Sequence, residues 1–274
     1  MSTLSSSDFQ TVCALLYQDA GIVLEADKAY LVETRLAPLM RANGVGCLAE
    51  LLEPLRRAPS PALRRKIVEA MANGETQFFR DTALFDMLRS ELLPRLIAAR
   101  RATRRLVIWS AACSTGQEPY SMAMLLVEHF PELAGWDVQL LATDFSEEFL
   151  ARARLGRYSQ HEISRGLSEN LRERWFHRRG EEWEIDAALR DRVQFMAINL
   201  VTDWPQVHQV DLVLLRNVMI YWDLETKRSL LARTRQVLSP HGALVLGAAE
   251  TTLQIDARYQ RVAVGSASYY VAST

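Results

Sequence analysis

The sequence predicts an α/β chain: a parallel sheet with helices on both faces, preceded by an all-helical domain and carrying a small inserted antiparallel β-subdomain. Three observations predict it. Apolar residues recur at helical spacing from Phe9 to Ala99. Beyond Arg105, short unbroken apolar runs alternate with helical stretches, the pattern of strands buried on both faces. Between about 157 and 195 that alternation breaks into shorter strand-like runs. Length agrees, since 274 residues at roughly 150 per domain make about two domains.

The first helix holds Phe9, Val12, Cys13, Leu15 and Leu16 and stops at Gly21; the second runs from Tyr30 to Met40 and ends near Asn43 and Gly44. Leu48, Leu51, Leu52 and Leu55 form a third stripe, and Ser60 followed by Pro61 opens a fourth helix through Met71. A fifth, about Leu84 to Ala99, leads into the basic link Arg100, Arg101, Arg104 and Arg105, so residues 1–100 are expected to be the helical domain with its linker and 101–274 the second domain. There, Leu106 to Trp109 and Val138 to Ala142 read as strands, with a helix from Pro119 to His129 between them. Ser146 caps a helix to about Leu155, with Glu147 and Glu148 favouring its dipole. The insert contributes a helix, Ser168 to Phe176, and runs at Glu182 to Ile185 and Arg192 to Met196. Strands follow at Val210 to Leu215 and Ala243 to Leu246, separated by a helix that Asp223 caps and Pro240, His241 and Gly242 close. Tyr259 to Val264 and Ser268 to Val271, around Gly265 and Ser266, read as an antiparallel hairpin on the sheet edge.

Composition narrows the function. Apolar residues are 49% and charged residues 24%, an ordinary globular balance. Lys plus Arg number 32 against 33 Asp plus Glu, and a net charge of -1 gives no global attraction to nucleic acid or anionic membrane. Cys13, Cys47 and Cys113 are far apart, without metal-ligand spacing, so no metal site and no disulfide framework are expected, and a cytosolic setting is. The N-terminus lacks a secretory pattern and no run of about 18 apolar residues occurs, so no membrane insertion is expected.

In an open sheet the chemistry is read from the residues after each strand. The first strand runs into Ser110 to Ser121, SAACSTGQEPYS, a small-residue loop before a helix N-terminus suited to an anionic group. One glycine there excludes the dinucleotide fingerprint, and no Walker lysine follows. Asp144 ends the second strand, where an acid holds both hydroxyls of a ribose; the same place also suits a helix cap. A ribose acid with a glycine-poor first loop favours an adenosine cofactor without pyrophosphate, of which S-adenosylmethionine is the obvious one. Arg216 and Asn217 directly follow a buried strand and are costly to desolvate unpartnered, which points to a polar cleft. Asn199, before Leu200, offers an amide to a purine edge, or forms a turn before Asp203, Trp204 and Pro205. Gly74 to Asp81, GETQFFRD, interrupts the helical third; its two Phe read as core, and the fork of Arg80 can hold a carboxylate at two points.

Taken in order, GETQFFRD, WSAACSTGQEPYSMA, ATD, INL, RNVMIYWD and LSPHGALVLGAAE resemble the motifs of the bacterial chemotaxis receptor methyltransferases, the CheR family, from about residue 8 to the C-terminus. The resemblance implies a Rossmann-like class I S-adenosylmethionine-dependent methyltransferase domain that methylates glutamate side chains on the cytoplasmic helical bundle of chemoreceptors. It implies S-adenosylhomocysteine as product, a cytoplasmic enzyme recruited to membrane receptors, and a monomer. Position by position, Thr76, Arg80, Glu118, Asp144, Asn199, Leu200, Arg216 and Asn217 match the family's cofactor wall, with Glu118 at the amino acid part and Asp144 at the ribose. Arg80 and Tyr221 match groups beside the transferred methyl, and Arg35 and Arg41 match receptor-facing arginines. Arg56, Arg57, Arg64, Arg65 and Lys66 form a second basic cluster, on what is otherwise a solvated face.

The chain departs from the family pattern in places. Gly74 stands where Asn usually precedes the Glu-Thr pair, with Asn73 displaced by one; Ala112, Gln117 and the GAAE run also differ, and no role is assigned to them. His177 to Ile185, with one glycine, is shorter than the glycine-rich loop of members that grip a receptor's C-terminal pentapeptide, so no such tethering is expected. Methyl transfer to an ionised carboxylate needs no general base, in keeping with the absence of a Ser/His/Asp or Cys/His constellation. Two competing readings are a methyltransferase acting on a small molecule or nucleic acid, and an idle sensor of the cofactor.

Overall fold

The computed structural model describes residues 4–204 and 207–273; Pro205, the end of the turn read after Asn199, lies outside them, as do the first three residues and the last. Four helices open the chain: α1 (Ser6–Ala20), α2 (Ala29–Ala42), α3 (Leu48–Arg57) and α4 (Pro61–Met71). Ser5 Oγ accepts from the Asp8 amide to start α1, and Gly21 at φ 66° closes it. Pro38 sits inside α2 without ending it. Ser60 precedes α4 as expected but makes no capping bond, so Pro61 at the first helical position carries that start. The apolar stripes meet in a cluster containing Val12, Leu16, Val32, Leu36, Leu52 and Ile67, all fully buried.

That cluster ends at Met71. The fifth helix, α5 (Thr82–Met87) continuing through a π turn at Leu88–Leu92 into α6 (Leu93–Arg100), was expected in the helical domain. Its Leu88, Leu92, Leu93 and Leu96 instead pack in one cluster with Ile108 and Leu214 of the sheet. Arg100 of the basic link pairs at 2.6 Å with Asp211, a carboxylate 1% exposed that also accepts from the Val107 amide at 3.0 Å. Periodicity reveals that a helix has an apolar face, not which core it meets, and the expected boundary at 100 therefore moves back to the 72–77 connection. That connection is not helical.

The sheet comprises β1 (Arg105–Ala111), β2 (Asp137–Asp144), β6 (Val193–Ala197), β7 (Val210–Leu215), β8 (Leu238–Leu246), β9 (Tyr259–Val264) and β10 (Ala267–Ala272), in the order β6-β2-β1-β7-β8-β10-β9. The first five are parallel and the closing hairpin is antiparallel, β9 forming the edge. Helices α7 (Gln117–His129), α8 (Glu147–Leu155) and α12 (Leu224–Val237) make the crossovers. Residues 240–242, expected to close α12, lie inside β8, where the register jumps between Val210 and Leu212.

The insert is a three-stranded antiparallel sheet, β3 (Arg157–Ser159), β5 (Glu182–Ile185) and β4 (Phe176–Arg179), with the short helices α9 (Gln160–Ser164), α10 (Glu169–Trp175) and α11 (Ala187–Arg190). β6, read as part of the insert, pairs with β2 from Leu140↔Val193 to Asp144↔Ala197 and so belongs to the large sheet. Its half-exposed pattern is that of an edge strand, which sequence alternation cannot tell from a subdomain strand. Phe78, fully buried, stacks edge-on against Tyr158 and Phe176 and pins the insert to the connection. From β1 the chain builds outward through β2 to β6 on one side and β7 to β8 on the other, so a crevice opens at the carboxyl ends of β1 and β7.

Candidate active site

The loop after β1 is bent hard into that crevice. Ala112 at φ 59°, Ser114 at 51° and Gly116 at 96° are left-handed, which brings backbone rather than side chains to the strand ends. Asp144, 5% exposed, accepts from the Ser114 amide at 2.9 Å through Oδ2 and from the Ser146 amide at 3.0 Å through Oδ1. Each oxygen keeps a lone pair for a ligand. Burial pushes the Asp144 carboxyl up to about 6, against the pull of those backbone donors. The cap of α8 is Ser146, whose Oγ accepts from the Phe149 amide, so capping is not what Asp144 is for.

Glu118, in the first turn of α7, is tied at both oxygens: Oε1 accepts from Ser110 Oγ at 2.7 Å and Oε2 from Arg216 Nη1 at 2.8 Å. Arg216 has a side chain 2% exposed, reaches Asp81 and donates to the Arg80 carbonyl at 2.8 Å. Its Nε is buried with no partner. The arginine read as desolvated cleft wall is therefore a strut joining α7, β7 and the 72–81 connection, which is how its charge is tolerated. Arg80 itself donates to the Glu75 carbonyl at 3.2 Å.

Beyond β7, Asn217 is left-handed at φ 58°. Glu250 explains why: its carboxylate accepts from the amides of Asn217, Val218, Met219 and Gly247 at 2.7, 2.9, 2.7 and 2.8 Å. Glu250 belongs to the GAAE run that the sequence reading set aside; an acid just after the last parallel strand was the signal available. The single turn Met219–Tyr221 follows, and the Tyr221 hydroxyl accepts from Asn73 Nδ2 at 2.6 Å. The helical unit straps onto this segment, because Ile22 bridges Trp222, Val23 donates to the Tyr221 carbonyl at 2.9 Å, and Trp222 Nε1 donates to the Ala20 carbonyl at 2.9 Å.

Asn199 does not present a free amide. Nδ2 donates to the Asp19 carbonyl and Oδ1 accepts from the Val201 amide at 3.0 Å, so the side chain latches the loop after β6 to α1, leaving its backbone and Leu200 to face the crevice. Gly74 lies under Phe149, where an added Cβ would come within 2.6 Å of the ring.

Thr76, Arg80, Glu118, Asp144, Asn199, Leu200, Arg216, Asn217 and Tyr221 all line one pocket, with Ala20, Ile22, Asn73, Phe145 and Phe149 among the walls the sequence reading did not select. Of the charged lining groups, Glu75 pairs with Arg165 and Glu118 with Arg216, each at 2.8 Å, which leaves Asp144 and Arg80 without an ion pair among the described residues.

The basic surface is less free than its sequence suggests. Arg35 is half-buried and donates to the Met71 carbonyl at 2.6 Å, holding the end of α4, whereas Arg41 is exposed. In the second cluster Arg56 pairs with Asp8, Arg57 with Glu53 and Arg64 with Asp19, leaving Arg65 and Lys66 without an ion pair among the described residues.

Comparison with known proteins gives the same two regions. Residues 7–72 match the family model for the CheR methyltransferase all-alpha domain and residues 74–267 that for the CheR methyltransferase SAM binding domain. Chemotaxis protein methyltransferase 1 of Pseudomonas aeruginosa is 40% identical, covering 94% of this chain and 95% of that protein. Chemotaxis protein methyltransferase Cher2 of Pseudomonas putida is 37% identical over 96% of each. Chemotaxis protein methyltransferase 1 of Vibrio cholerae is 34% identical, over 95% and 94%.

Proposed function

The chain belongs to the CheR methyltransferase family, and from that premise we propose that it methylates glutamate side chains on the cytoplasmic helical region of chemoreceptors. Its cofactor is S-adenosylmethionine. The residues fit that group: the pocket sets the buried Asp144 carboxylate, each of whose oxygens keeps a lone pair, at the strand ends, and the orphaned Arg216 Nε leaves a donor in reserve. Asp144 holds the ribose hydroxyls, and Glu118, backed by Arg216, holds the amino acid part. Leu200, the backbone of Asn199 and Phe149 enclose the purine. Thr76 and Asn217 complete the wall.

The chemistry supplied when the cofactor is bound is an electrophilic methyl group. A glutamate with pKa near 4.3 is already ionised at neutral pH, so no residue of this chain has to remove a proton. Arg80, in the connection before α5, and Tyr221, in the turn after β7, line the same pocket, orient the incoming carboxylate and displace its water, and rate comes from that positioning. The observation that carries this reading is the convergence of these nine residues, drawn from five separate segments of the chain, on one pocket.

The protein works in the cytoplasm as a monomer on receptors rather than nucleic acid, with exposed Arg41 toward the acidic receptor helix. It needs no grip on a receptor's C-terminal pentapeptide. In support, β4 and β5 are joined through Gly180 and Glu181 alone, with Arg179 already paired to Glu182. The test is transfer of labelled methyl to receptor cytoplasmic fragments. We expect label on glutamate as a methyl ester, hydrolysed by mild base, and its loss with Arg80→Ala; base-stable label, or label on nucleic acid, would overturn the reading. Titration with the pentapeptide should give no heat.

A further inference from the structure

Asn73 lies at the mouth of the pocket, in the connection that joins α4 to the sheet, and its side-chain amide is held at both ends. Nδ2 donates to the Tyr221 hydroxyl at 2.6 Å, and Oδ1 accepts from the Glu75 amide at 3.3 Å. Because the carbonyl oxygen faces a backbone N–H, the amino group is the end that faces the phenol. A phenol that accepts a hydrogen bond still has its own O–H to donate, and accepting polarises it toward stronger donation. The rest of the tyrosine is fixed through its backbone, whose carbonyl accepts from Val23 at 2.9 Å.

The neighbouring position, Gly74, offers no side chain for this work. Ser114 Oγ donates to the Gly74 carbonyl at 2.8 Å, and the Phe149 ring covers the face where a Cβ would stand. With no side chain at position 74, the amide comes from position 73 and meets Tyr221.

We propose that Asn73 is a positioning residue for methyl transfer: it turns the Tyr221 hydroxyl so that its hydrogen points at the acceptor carboxylate. This rests on the reading of Tyr221 as a group beside the reacting atoms. Asn73 makes and breaks no bond; it sets which way a donor faces.

The test compares Asn73→Ala, Asn73→Asp, Tyr221→Phe and the double variant Asn73→Ala/Tyr221→Phe, using methyl transfer to a receptor cytoplasmic fragment and S-adenosylhomocysteine titration. Asn73→Ala should lower kcat about tenfold, the size of one lost hydrogen bond at the transition state, with cofactor-product affinity held within about twofold. Asn73→Asp should lower kcat further, since its carboxylate accepts the phenol's hydrogen bond, turning the O–H away from the acceptor, and repels the incoming glutamate. In the Tyr221→Phe background, Asn73→Ala should change nothing more. Additive losses, or an Asn73→Ala loss matched by weaker cofactor-product binding, would overturn the proposal while leaving Tyr221 in place. Full turnover by Tyr221→Phe would instead overturn the reading beneath it, and this proposal with it.

Discussion

Lowering the pH from 7 to 5 is expected to weaken S-adenosylhomocysteine binding about tenfold through Asp144. The carboxyl is 5% exposed, and burial raises it from 3.8 to about 6, the amides of Ser146 and Ser114 only partly opposing. With that value it is about nine-tenths ionised at pH 7 and about one-tenth at pH 5, and only the ionised form accepts from both ribose hydroxyls while keeping its two backbone donors. One ionisation thus moves the affinity by about 1.4 kcal/mol. Across the same window the ligand's own ammonium and carboxylate keep their charge. Folding should respond in the opposite sense. A carboxyl whose folded value lies above its unfolded one favours folding fully below about pH 4, and loses that contribution, about 3 kcal/mol, as pH rises through about 6. Calorimetry at pH 7, 6 and 5 on the wild type and Asp144→Asn decides it. The variant should bind weakly with no pH dependence. Equal wild-type affinity at pH 5 and 7, or a tenfold fall that survives in Asp144→Asn, would refute the reasoning.

Glu250→Ala removes the acceptor of four backbone amides and should cost about 3 kcal/mol, roughly 6–12 °C in Tm, with turnover falling because Asn217 and Tyr221 lose their mould; an unchanged melting curve would contradict this. Gly74→Asn, which installs the side chain usual in the family, should cost about 1 kcal/mol at most, that of turning the tip of the Phe149 ring aside, and nothing in a Phe149→Ala background; denaturant unfolding of the three variants checks the pair. Arg41→Glu should raise KM for receptor fragments and leave S-adenosylhomocysteine affinity alone, whereas Arg35→Glu should also lower Tm because it strips the Met71 carbonyl of its donor, a difference thermal shift and titration read together.

Much of this was legible in the chain. Gly21, Pro61, Ser146 and Asp223 mark helix ends because each acts through its immediate neighbours, and the strand tips carry pocket-lining residues because a parallel sheet opens there. What escaped depends on partners remote in sequence. Glu118 and Arg216 are 98 residues apart, Asn199 and Asp19 are 180, and nothing local says that the first pair is a strut and the second a latch. The allegiance of the 82–100 helix and of β6 escaped for a related reason: an apolar stripe or a half-exposed strand is the same in either of two neighbouring layers. Glu250 and Asn73 were hidden because their work is done on backbone amides and on a distant phenol.

The strap at Gly21 bears on how such proteins can be recombined. A left-handed residue at φ 66°, whose added Cβ would sit 3.0 Å from Val201 and 3.3 Å from Trp222, locks the first helix to the floor of the pocket. Grafting another relative's opening helices at the 72–74 seam would exchange more than the outer surface of that unit. It would also replace Ala20 and Ile22, two walls of the pocket. Hybrids should stay active only when the glycine and its seat travel as a matched set, so lineages that trade partners are constrained to trade both halves of that joint.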